Sequence, residues 1–155
     1  MTILVAKYLL KSPKKLHKLS VKTMNKKEMI LSVLEKKGYK PEIDNDGDIF
    51  IRYQMKSIFV IVGNVEDNYV AVLLPQFHEI TESEETLVLA TCNKMTRELK
   101  MVKVYVDQTF KNVSATCEFF YSDKKSLEDS IGHSLELLGV VRSVFRRNKN
   151  ELSEV

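Results

Sequence analysis

From residue 26 the apolar positions Met29, Ile30, Val33 and Leu34 recur at three- and four-residue spacing, with Lys26, Lys27, Glu28, Lys36 and Lys37 outside the stripe. This predicts a helix with one buried face, stopped by Gly38. Tyr39, Lys40, Pro41, Glu42 and Ile43 follow as an extended piece, because proline keeps its neighbour out of the helical region. The turn-rich run Asp44, Asn45, Asp46, Gly47 and Asp48 then predicts a hairpin. Period-two alternation takes over in residues 49–54 and 57–62, with Met55-Lys56 as a tight turn, and returns in residues 69–74. Four closely spaced strands predict an antiparallel meander.

After Pro75, residues 76–80 read as a connector. Thr81, Glu82, Ser83, Glu84 and Glu85 are a strong helix start, with a hydroxyl cap and acids toward the positive end of the dipole. That helix is expected to reach about Leu99, with Val88, Cys92, Met95 and Leu99 on one face and Leu87 and Thr91 alongside. Residues 101–106 and 113–121 alternate again and pair across the turn at 107–112. Ser122-Asp123 caps a final helix carrying Leu127, Ile131, Leu135, Leu138, Val141 and Phe145, whose apolar face Leu137, Val140 and Val144 widen. The expectation is an α+β domain over residues 24–148, an antiparallel sheet flanked by helices in the order α-ββββ-α-ββ-α, with residues 149–155 as a polar tail.

Charge divides the chain unevenly. The formal net charge is +3, yet residues 1–23 hold six lysines and no acid, leaving 18 basic against 21 acidic residues beyond them. A basic arm on an acidic body weakens the case for a nucleic-acid-binding face on the domain itself. The arm is either an amphipathic segment for a membrane surface or nucleic acid, or an artefact of a start assigned upstream of Met24; the second reading is the simpler. At 155 residues with 44% hydrophobic and 29% charged, the chain is long enough for its own core. The longest apolar runs are strand-sized, far below the roughly 20 residues a bilayer requires. Cys92 and Cys117 have no ligand-spaced partners and read as packed, reduced thiols, with a disulfide between them as the alternative; two cysteines without an export signal point to a reducing compartment, and a cytoplasmic protein is expected.

The element order, the acidic hairpin 44–49 leading into Phe50, Ile51, Arg52 and Tyr53, and the segment from Asn93, Lys94 and Met95 through Lys100, Met101, Val102, Lys103 and Val104 resemble the YbjN-like domains of bacteria. The resemblance spans residues 24–148. It implies the type III secretion chaperone-like fold, whose chaperones are small dimers that hold extended client segments on sheet surfaces. Those chaperones are usually acidic, and the basic arm departs from them.

Candidate chemistry is sparse. Asp44, Asp46 and Asp48 alternate like calcium ligands, but glycine is fourth and Met55 twelfth, where an EF-hand loop needs glycine sixth and glutamate twelfth. His17, His78 and His133 lie in three separate segments, and His78-Glu79 lacks the second histidine of a zincin. Glycines 38, 47, 63, 132 and 139 assemble no phosphate loop. Glu82, Glu84 and Glu85 read as dipole partners rather than as acids and bases for catalysis. The strand aromatics Phe50, Tyr53, Phe59, Tyr69, Phe119, Phe120 and Tyr121 read as core and interface packing rather than a base-stacking platform. No catalytic residue, metal or cofactor is therefore expected. The partner is expected to be a protein segment, accepted as an extended peptide on a sheet face or edge, or a second copy of the chain, met through Leu137, Val140, Val141 and Val144 of the last helix. A sensor of a small ligand or nucleic acid, using the concave sheet or the arm, is the alternative.

Overall fold

The computed structural model describes residues 24–154; the lysine-rich arm lies outside the described residues. The first helix, α1 (Lys26–Lys36), starts at Asn25, whose side chain accepts from the Glu28 N–H while Glu28 returns a bond to the Asn25 N–H. This capping box satisfies two of the free donors at the helix start. Strands β1 (Glu42–Ile43), β2 (Ile49–Tyr53), β3 (Lys56–Ile61) and β4 (Tyr69–Glu79) form the meander. A 3-10 turn, Glu82–Glu84, leads into α2 (Glu85–Glu98), followed by β5 (Val102–Val106), β6 (Asn112–Phe120) and the long α3 (Lys124–Ser153).

All strands are antiparallel, in the order β1-β2-β3-β4-β6-β5. The register aligns Val60, Val72, Cys117 and Val102 across four strands. With Ile49, Ile51, Ile58, Leu74, Ala115 and Val104, these form the sheet's buried face. Ile30, Val33 and Leu34 of α1, Val88, Cys92 and Met95 of α2, and Leu127 to Phe145 on the inner stripe of α3 complete one core. Gly139 lets α3 approach the hairpin: a Cβ there would stand 3.0 Å from Tyr53 Cε1.

Three local expectations are revised. The β2–β3 turn is Gln54-Met55, both at positive φ, and Lys56 already belongs to β3. That pair matches the hand a two-residue hairpin needs. Residues 76–79, expected as connector, continue β4 beyond a bulge: Leu74 pairs with Ala115 and His78 with Val113. Pro75 has no N–H to give a ladder and Gln76 adopts φ 44°, so the irregularity sits where the backbone tolerates it. Finally, α3 continues through Ser153, past residue 148.

Candidate functional site

Alternation gives the sheet a second face. In register, Phe50, Phe59, Leu73, Thr116 and Lys103 form a row across it, with Tyr69 opposite Phe120. Phe50 and Phe59 lie 5.7 Å apart between ring centres, and Tyr69 and Phe120 5.5 Å. Phe120 is strongly exposed and the others partly so. These four rings therefore stand on the face away from the core, while Phe119 lies within it.

A deeper apolar surface lies at the β5 edge. A groove of about 640 Å³ runs between α2, β5 and the β5–β6 turn, lined by Ile80, Glu85, Leu89, Cys92, Val104, Tyr105, Val106 and Phe110. Glu85, Leu89 and Cys92 share one flank of α2 through their four- and three-residue spacing. Leu89 is 58% exposed and Phe110 78%, so both walls of the groove end in bare apolar side chains. Phe110 owes its position to a left-handed backbone (φ 58°) in a turn held by Asp107, whose carboxylate accepts from the Thr109 N–H and hydroxyl.

The edge beside this groove is only half closed. Thr96 Oγ1 accepts from the Val104 N–H at 3.2 Å and donates to the Val104 carbonyl at 3.3 Å, so α2 caps the outward backbone of β5 at its centre. Val106, two residues on, shows its backbone to the same side, and no hydrogen bond caps it among the described residues. Cys92, at the base of the groove, is 6% exposed, and burial pushes its thiol up to about 11. It is a packing surface here, not a nucleophile.

The other side of α2's start is polar. The Glu84 carboxylate takes Lys149 Nζ on one oxygen, and His78 Nε2 with the Thr81 N–H on the other. Burial opposes its charge, but the bonds from Lys149, the Thr81 backbone and His78 outweigh burial and hold the acid down at about 2. An ionised carboxylate only accepts, so His78 carries its proton on Nε2.

The residues expected at an interface separate. Val141 is fully buried in the chain's own core, Leu137 and Val144 pack half-buried against it, and Val140 alone is substantially exposed. Asp44 and Asp48 serve the hairpin: Asp44 accepts from the Asp46 and Asp48 N–H groups, and Asp48 from the Val62 N–H. His133 is exposed on α3, and His17 lies outside the described residues. Among the described residues no group of three or more His, Cys, Asp or Glu side chains could hold a metal, and no helix is long and apolar enough to cross a membrane. Sequence reasoning passed over Leu89, Phe110 and Ile80. The signal was there: an apolar residue off the buried stripe of α2, and an aromatic in a turn otherwise made of polar residues.

Residues 25–124 match the family TY-Chap1, described as T3SS (YopN, CesT) and YbjN peptide-binding chaperone 1. The chain belongs to this family. The TY-Chap1 match takes in α1, the whole sheet and α2, and ends where α3 begins. The crystal structure of YbjN from E. coli is similar with a TM-score of 0.59 at 10% identity, over 80% of this chain and 91% of that one. An uncharacterized protein from Methanothermobacter thermautotrophicus gives a TM-score of 0.46 at 16% identity, over 79% of this chain and 98% of that one. No curated protein matches the sequence. The α+β, type III secretion chaperone-like fold expected from the resemblance to YbjN-like domains is thus the fold observed.

Proposed function

We propose that the domain is a non-catalytic interaction module that holds an extended apolar peptide segment of a protein partner in the groove beside β5. The carrying observation is the groove itself, which joins bare side chains, Leu89 and Phe110, to a strand edge left open at Val106. A peptide laid along it would bury apolar side chains against Ile80, Leu89 and Phe110 and form main-chain bonds at the open end of β5. The family's description as peptide-binding chaperones supports this reading. The free, buried cysteines suit a reducing compartment such as the cytoplasm. The test is an array of immobilised peptides graded in apolar content: the full chain should bind segments with two or three large apolar residues at alternate positions and ignore polar ones.

Self-association through α3 is a second reading, carried by Val140 at 48% exposure with half-buried Leu137 and Val144 beside it. Val141 would act only by supporting that patch from beneath. Val140→Glu should halve the mass found by sedimentation while leaving the fold intact; an unchanged mass removes this reading.

A further inference from the structure

The second half of α3 carries a feature that peptide capture at β5 does not use. A cleft of about 420 Å³ lies between α3 and the end of β4, over Phe77 and Phe145 and beside His78 and Lys149. A neighbouring cleft of about 390 Å³ lies between α3 and the β2–β3 turn, beside Met55 and Lys56. Arg142 and Arg146 line both, so the two clefts form one trough with the two arginines between them.

Every charged group lining the trough is basic or a histidine, although the chain beyond residue 23 has more acids than bases. Lys149 is neutralised by Glu84, and Lys56 donates to the Gly139 carbonyl at 3.2 Å. Arg142 and Arg146 make no hydrogen bond or ion pair among the described residues. Four lysines elsewhere are matched, Lys36 with Glu128, Lys94 with Glu151, Lys103 with Glu118 and Lys125 with Asp129, and the other unpaired cations among the described residues, such as Arg97, line neither cleft. Two like charges four residues apart on a helix repel each other, and no carboxylate pairs with either one among the described residues. A concave, aromatic-floored surface also strengthens their field.

We infer that this trough binds an acidic peptide segment, whose carboxylates pair with Arg142 and Arg146. Guanidinium groups recognise carboxylates through paired N–H donors. Arg142 and Arg146 stand one helical turn apart on α3, about 6 Å, and both border two clefts, which fits carboxylates spaced along an extended chain better than a single tetrahedral anion. The site is separate from the β5 groove and does not depend on it.

The test is fluorescence anisotropy of a labelled hexaglutamate peptide with the full chain at low salt, comparing wild type, the double variant Arg142→Gln/Arg146→Gln, and Arg97→Gln. Arg97 is an exposed arginine on α2, outside both clefts. Both trough arginines are exposed, so the double variant should keep the wild-type circular dichroism. The expected result is binding weakened about tenfold or more in the double variant, as the loss of charge-assisted hydrogen bonds requires, and unchanged in Arg97→Gln. Equal binding by all three proteins would overturn the inference, because the lysines of residues 1–23 are common to all. Displacement of the peptide by equimolar inorganic phosphate would overturn it too, by showing a site for a free anion. Apolar-peptide binding is measured separately, so neither result touches the groove.

Discussion

Lys149 Nζ lies 2.5 Å from Glu84 Oε2, a contact between residues 65 positions apart that fastens the end of α3 to the start of α2. The same carboxylate takes His78 at the end of β4, so one acid ties three elements together beside the β5 groove.

Glu84→Gln should therefore cost roughly 1–2 kcal/mol at neutral pH, since both side chains are partly screened by solvent. The pH dependence has a definite sign. The folded acid ionises at about 2, below its ordinary value, so its stabilisation is complete above about pH 5 and is lost as pH falls toward 2. Urea unfolding at pH 6 and pH 3 should show the gap between wild type and variant narrowing in acid.

The ion pair of Lys26 with Asp67 makes an asymmetric prediction. Lys26 is buried and its ammonium donates to Asp67 at 2.8 Å and to the Asn64 carbonyl at 3.0 Å, whereas the Asp67 side chain is 44% exposed. Removing the acid leaves a buried cation half-partnered; removing the lysine leaves a carboxylate that water can reach. Asp67→Ala should lower the thermal midpoint more than Lys26→Met.

Much of this architecture was legible from local pattern. The helical spacing of Ile30, Val33 and Leu34, the alternation through Ile49, Ile51, Ile58 and Val60, and the Asp123 cap all appear where expected. Other features depend on contacts distant in sequence. The placing of β6 between β4 and β5 is a pairing choice that no single strand records. The continuation of β4 past Pro75 needs β6 to supply the ladder at His78, and the burial of Val141 needs the sheet beneath α3. The groove was harder still, because its walls come from α2, β5 and a turn residue, Phe110, held outward by local backbone.

Thr96 should matter out of proportion to its exposure. Thr96→Val removes the hydroxyl that caps Val104, costing about 1 kcal/mol. Hydrogen exchange should quicken at the Val104 amide while the core amides of β6 keep their protection.

Cys92 offers a reporter of groove occupancy. With its thiol pushed up to about 11, only about one molecule in a thousand carries the thiolate at pH 8, so alkylation should be slow in the native protein and fast in urea. A peptide seated in the groove should slow Cys92 further and leave Cys117, buried at the centre of the sheet, unchanged.

Peptide capture at the β5 edge is tested most directly by replacing Leu89, which is exposed enough to change without disturbing the core. The measurement is anisotropy of a labelled peptide carrying alternate leucines, titrated with wild type and with Leu89→Asp. Burial of a leucine-sized side chain contributes about 1.5–3 kcal/mol, so the variant should bind at least tenfold more weakly with an unchanged unfolding midpoint. Equal affinity for the two proteins would contradict the groove as the binding site.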